Sequence, residues 1–262
     1  MPSEGALPAG TAPLWPAPAG VGALMTGRAG GVSAAPWNSL NLGIAVGDDA
    51  AAVAENRRRV ASATGAAPVW LRQVHGARVV RLGSADLNQS APEADACWTD
   101  EPGIACAVQV ADCLPVLFAA RNGRAVAAAH AGWRGLAAGV LEATLDAVSA
   151  AAACAPGELA VWLGPCIGPR RFEVGEEVLH AFGAQPADPD PQRFVPRTRA
   201  DGSARWLADL QRLARDRLLA AGVAAAHIGA DARCTVEAAS DFFSFRRDGV
   251  TGRMAALVWL RA

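Results

Sequence analysis

An α+β fold in one domain, its antiparallel or mixed sheet covered by helices, is what this sequence predicts. Apolar runs of strand length recur between Gly, Pro and Asn punctuation, most clearly in "GIACAVQVADCLPVLFAARNGRAVAAAHAGWRG" at 103–135. Helical segments are interleaved with these runs without strict strand–helix–strand alternation. A chain of 262 residues, 52% hydrophobic and 19% charged, is long enough for a large core. Residues 21–262 are expected to form the domain. An irregular lead-in rich in Pro, Ala and Gly covers 1–20.

Each element has a local reason. "GVGALMTGRAGG" (20–31) superficially resembles a dinucleotide loop, but no helix follows, and it reads as a turn. "DDAAAVAENRRRVASATG" (48–65) opens on a capping Asp and closes on Gly, so it reads as a helix. "PVWLRQVHGARVVRL" (68–82) is strand-like on both sides of Gly76. The stretch 103–135 reads as strand, turn, strand, tight hairpin, strand, turn. Within it Asn122-Gly123 predicts a two-residue type I′ loop. "LAAGVLEATLDAVSAAAA" (136–153) is helical, "ELAVWLGPCIGP" (158–169) a strand entering a loop, and "RWLADLQRLARDRLLAAGV" (205–223) an amphipathic helix. "DFFSFRRDGVTGRMAALVWL" (241–260) reads as a final hairpin with an apolar last strand.

Composition excludes several classes of function. The net charge of −1 argues against nucleic acid or an anionic membrane as partner. All 24 basic residues are arginine, and tyrosine is absent. Schiff-base lysines, P-loop lysines and tyrosine nucleophiles are therefore ruled out. The N-terminus lacks the pattern of a secretory signal. The longest apolar stretch, 102–120, is interrupted by Asp112 and Pro115, so no membrane span is expected. Six scattered cysteines without a paired framework point to a reducing cytoplasm.

The predicted hairpin brings candidate ligands together. With Arg121 facing Arg124, position 115 lies opposite His130, and Cys113 sits two residues further along the same rim. Strands about 4.8 Å apart, rising about 3.3 Å per residue, put Cys113 and His130 within reach of one ion. His75 in "QVHG" is a second histidine at a strand end. The separations match no short zinc-finger spacing, so packed core residues and a metal site both remain open from the residues alone. Arg134, four residues after His130 where turn becomes helix, is the leading arginine for an anion. Arg28, Arg246 and Arg247 are weaker candidates. Gln73 suits either substrate contact or strand capping, and Cys166 in "GPCIG" suits backbone shaping near the site.

Taken in order, "TGRAGGVSAAPWNSLNLGIAVGDD", "LRQVHG", "ADACWTD", "VADCLPVLFA", "HAGWRG", "LGPCIG" and "FFSFRRDGVTGR" resemble the laccase-domain (YfiH-like) family, from about residue 22 to the C-terminus. The resemblance implies a layered α/β/β/α sandwich and a metal centre at His75, Cys113 and His130. It also implies phosphorolysis of adenosine, inosine and methylthioadenosine to free base and ribose 1-phosphate, with deamination of adenosine. Purine nucleosides and phosphate are then the partners, with Arg134, Arg28, Gln73 and Arg246 as candidate contacts. Two imidazoles and one thiolate suit Zn²⁺ with an open coordination place, and Cu²⁺ can use the same donors. A multicopper oxidase needs roughly ten histidines for its copper ligands, and this chain has four. A cysteine hydrolase acting on peptidoglycan precursors, with Cys113 as nucleophile and His130 as base, is the main alternative. A non-enzymatic metal-binding protein is another.

Overall fold

Short strands buried on both faces build two facing sheets, and the computed structural model describes them over residues 10–262. The chain begins with β1 (Gly10–Thr11) and β2 (Val21–Thr26), then α1 (Ala50–Thr64), β3 (Ala67–Trp70) and β4 (Val79–Arg81). It continues through β5 (Ala96–Thr99), β6 (Ile104–Val110), β7 (Leu114–Ala120) and β8 (Val126–Ala131). Two helices follow, α2 (Trp133–Ala137) and α3 (Val140–Ala152), then β9 (Leu159–Leu163), β10 (Glu173–Val174) and α4 (Glu176–Ala181). β11 (Phe194–Thr198), β12 (Ala204–Ala208), α5 (Leu210–Ala220), β13 (Ile228–Ala230), α6 (Phe245–Asp248) and β14 (Met254–Leu260) complete it.

One sheet has the order β1-β2-β14-β6-β3, the second β13-β9-β7-β8-β5-β4, and a small third β10-β12-β11. Both large sheets are mixed: β14 is antiparallel to β2 and β6, while β3 is parallel to β6 and β4 to β5. The period-two alternation of strands separates two cores. Leu114, Val116 and Phe118 of β7 face the helices, with Leu141, Leu145, Leu213 and Leu218. Leu117 and Ala119 face the other sheet, against Val108, Met254, Ala256 and Val258. On the far side of the five-stranded sheet, Val60 of α1 packs with Leu24, Ala105, Ala107 and Leu257. The layers are therefore α/β/β/α. Each such buried Leu, Val or Phe contributes about 1.5–3 kcal/mol relative to exposure.

The 48–65 helix begins and ends as expected. Asp49 caps it by accepting from the Ala51 N–H, and Gly65 closes it at φ 65°. The β7–β8 register also holds, with Pro115 opposite His130. The turn does not, because a type I′ loop needs positive φ at both central residues and only Gly123 has it (φ 73°). The loop instead spans 121–124, closed by Gly123 N–H to Ala120 C=O at 2.8 Å. Asn122 turns its amide outward to the Ala152 carbonyl.

Other elements differ from expectation. Residues 21–26 form a strand rather than a turn, since β14 supplies the partner. The helix at 136–153 is broken at Gly139, which adopts φ 92°. Residues 205–208 of the supposed helix at 205–223 belong to β12; only after Asp209, which accepts from the Arg212 N–H, does the helix start. The final segment makes no hairpin, because β14 inserts between β2 and β6. Residues 1–9 of the lead-in lie outside the described residues, and 10–11 pair with β2.

Candidate metal centre

His130 occupies the inter-sheet side of β8 at the strand's end and is only 3% exposed. The pairing of β5 with β8, Ala96 opposite Ala129, brings Asp95 beside it. Asp95 is fully buried, and its Oδ1 lies 2.8 Å from His130 Nδ1. The same carboxylate accepts three consecutive backbone N–H groups: Val74 at 3.1 Å, His75 at 2.8 Å and Gly76 at 2.7 Å. That cradle holds His75 at φ 63°, a left-handed conformation uncommon for a residue with a Cβ. One buried acid thus positions both histidines.

Cys113 is placed by the β6–β7 turn, where Asp112 stands at φ 92°. The Asp112 Oδ1 accepts from Thr235 Oγ1 and its Oδ2 from the Arg246 N–H, both at 2.6 Å, and its carbonyl accepts from Ile167 N–H. Cys166 and Cys234, the residues before Ile167 and Thr235, meet in a parallel bridge. "GPCIG" therefore shapes the backbone behind the site, as expected. The β8–α2 turn passes close in front. A Cβ on Gly132 would lie 3.0 Å from Cys113 Sγ and 3.1 Å from His75 Cδ2.

The outcome is a cluster in which one donor atom each from His75, Cys113 and His130 lies within 4.8 Å of the others. Cys113 Sγ is 3.9 Å from His75 Nε2, and the imidazoles meet edge to face with centroids 4.8 Å apart. His75 is exposed and His130 buried, so the cluster opens to solvent on the His75 side. Burial pushes the Cys113 thiol up, but the charge and hydrogen bonds of His130 and His75 outweigh it and bring it to about 6. Burial opposes protonation of His130, yet Cys113 and Asp95 raise it to about 9. Asp95 itself is raised by burial, but His130 and the Gly76 and Val74 N–H groups hold it below its usual value. Two imidazoles and a sulfur poised to ionise fit a zinc-type ion. A carboxylate on the far nitrogen of a ligating histidine is the usual supporting contact, and it leaves Nε2 of His130 as the donor.

The remaining candidates divide. Gln73 gives both amide atoms to the backbone of Gln109, capping β6. Arg246 joins the site through its main chain, while its guanidinium turns to the Arg171 and Glu173 carbonyls at 3.3 Å. Arg247 binds Asp248 and the Thr235, Val236 and Phe242 carbonyls. Arg28 binds the Asn38 and Ala239 carbonyls and lies 4.9 Å from the Phe243 ring centre. Arg134 is exposed and lies over Trp133 at 4.4 Å, on a helix of five residues. So short a helix contributes little dipole to an anion site.

Sequence reasoning passed over Asp95, Thr235 and Arg253. The half-buried guanidinium of Arg253 is lowered by burial, while the charges of nearby Cys113 and Asp112 raise it. The signals were present in quoted motifs: an acid opening the apolar run "DACWT" and an arginine ending "GVTGR".

A family model described as multi-copper polyphenol oxidoreductase laccase matches residues 22–261. Over 250 residues the chain is 53% identical to "Purine nucleoside phosphorylase PA4543" of Pseudomonas aeruginosa, covering 95% of this chain and 97% of that one. It is 48% identical to "Purine nucleoside phosphorylase YfiH" of Escherichia coli, with the same coverage. The crystal structure of Neisseria meningitidis protein NMB0706 superposes with TM-score 0.86 at 45% identity, over 97% of this chain and 99% of that one. YlmD of Geobacillus stearothermophilus superposes with TM-score 0.83 at 37% identity, over 93% of each chain.

Proposed function

The chain belongs to the family described as multi-copper polyphenol oxidoreductase laccase, and from that premise we propose that it is a zinc-dependent purine nucleoside phosphorylase. The observation that carries this is the meeting of His75, Cys113 and His130 donors at the end of one hairpin, with Asp95 behind them. The names borne by its relatives support the substrate class. In phosphorolysis the N-glycosidic bond breaks, a phosphate oxygen bonds to C1′ of the ribose, and the base leaves with a proton. Inosine, adenosine and methylthioadenosine are the substrates we assign, with deamination of adenosine at the same site. Held by His75, Cys113 and His130, a zinc ion would supply Lewis acidity and positive charge. Arg134, exposed and adjacent to the β8–α2 turn, is the arginine we assign to phosphate. Copper held by the same three donors would supply a laccase-like side oxidation of polyphenols. We place the activity in the cytoplasm, where the six free thiols stay reduced. Among the described residues no helix is long and apolar enough to cross a membrane.

Inosine with metal-defined protein is the test. Hypoxanthine and ribose 1-phosphate should form with phosphate and not without it. Release without phosphate would make the protein a hydrolase, and no release in either case would refute the proposal.

One observation favours a second reaction. The Cys113 sulfur lies within 4.8 Å of the His130 donor nitrogen, the other ring nitrogen of His130 is 2.8 Å from Asp95 Oδ1, and the thiol is lowered to about 6. This is the arrangement of a cysteine nucleophile, its base and an orienting acid, suited to an amide of a peptidoglycan precursor. Protein stripped by chelation separates the two. Full amidase activity without metal, and no action on inosine, would favour the hydrolase.

A further inference from the structure

Of seven Phe and eight Trp residues, Phe245 alone stands exposed, at 58%. Its neighbours Phe242 and Phe243 are buried in the inter-sheet core. Leaving one ring in water while every other Phe and Trp is buried or half-buried forgoes about 25 cal/mol for each Å² it could have buried. The ring is also held in place. Ser244 caps the short helix by accepting from the Arg247 N–H, and the Arg246 N–H is fixed to Asp112 Oδ2 at 2.6 Å. Asp112 directly precedes Cys113. The guanidinium of Arg253 lies 5.8 Å from the Phe245 ring centre. The exposed ring therefore sits on a helix tied to the β6–β7 turn that carries Cys113.

We propose that Phe245 is the platform on which the purine of the nucleoside stacks, a specificity-determining contact that rests on the phosphorylase assignment. The polar side chains around the cluster support a stacking mode over edge recognition. Both amide atoms of Gln73, both oxygens of Asp95 and both oxygens of Asp112 are already bonded within the protein. That engagement leaves them less able to read a base edge than unbonded groups would be. Stacking on an aromatic face is tolerant of ring substituents, because every base presents a π-face. The platform therefore selects for a flat two-ring base and not for its exocyclic group. Hypoxanthine, adenine and guanine nucleosides should bind comparably, and pyrimidine nucleosides, with one ring to stack, more weakly.

Calorimetric titration of the zinc-loaded protein with inosine and with adenosine, without phosphate, tests this on wild type, Phe245→Ala and Phe245→Trp. The alanine variant should lose affinity for both nucleosides by about 5- to 150-fold, while the tryptophan variant stays near wild type. In turnover the alanine variant should raise KM for inosine and leave KM for phosphate unchanged. Zinc content and far-ultraviolet circular dichroism should match wild type, since the side chain is exposed. Wild-type affinity in Phe245→Ala, loss of only one of the two nucleosides, or a defect confined to phosphate would overturn the stacking proposal alone. A wild-type protein that neither binds nor cleaves inosine would overturn the phosphorylase assignment, and the platform with it.

Discussion

Replacing Asp95 by Asn changes one atom in the carboxylate that ties the two histidines together. Its Oδ1 accepts from His75 N–H and His130 Nδ1, and its Oδ2 from Val74 and Gly76 N–H, at 2.7–3.1 Å. An amide keeps one acceptor oxygen, so two of these four contacts survive. The other two become donor facing donor in a fully buried place. At about 1.5–3 kcal/mol for each hydrogen bond to a charged group, the loss is about 3–6 kcal/mol. A domain of this size melts about 2–4 °C lower per kcal/mol, so the melting temperature should fall by roughly 6–24 °C. Losing the carboxylate behind a ligating histidine should also weaken zinc binding about 10- to 100-fold. Thermal unfolding of metal-free protein, followed by competitive zinc titration against a chelating dye, measures the two effects separately. A variant that melts within a degree or two of wild type and binds zinc equally well would refute the assigned role of Asp95.

Cys113→Ala should abolish zinc binding and nucleoside turnover while the far-ultraviolet spectrum is retained; persistent phosphorolysis would exclude the sulfur as a ligand. Gly132→Ala places a methyl 3.0 Å from Cys113 Sγ and 3.1 Å from His75 Cδ2, so zinc affinity should drop even though no ligand is altered; an unchanged zinc titration would show that the turn yields. Arg134→Ala should raise KM for phosphate more than KM for inosine, and the reverse pattern would count against it. Burial pushes Asp231 up, but Arg233 outweighs it and holds the carboxyl below its usual value. The stability from that pair is present above about pH 4 and is lost as pH falls through the lower folded value. Asp231→Asn should therefore flatten the acid side of the stability curve, and an unaltered acid limb would show the pair contributes nothing.

Three metal-ligand candidates were legible because each sits in a short motif at the end of a strand. The β7–β8 register was legible too, since a tight connection makes partner positions a matter of counting. Asp95 was not. Its partners are 20 and 35 residues away, and only the β5–β8 pairing brings them to it. Arg253 escaped notice for the same reason. The segment from Arg205 misled because Trp206 and Ala208 are buried at period two and Leu210, Leu213 and Leu218 at helical spacing. Asp209 marks the change.

By itself the sequence determined the α+β class, the ends of the 48–65 helix, the β7–β8 register and three candidate ligands, because these depend on periodicity, caps and turns within a few residues; the layer order was implied only by the family resemblance. Tertiary structure decided which acid orients the histidines and which ring faces solvent. Those outcomes depend on strand pairings between distant segments, whose order in a sheet no local pattern specifies.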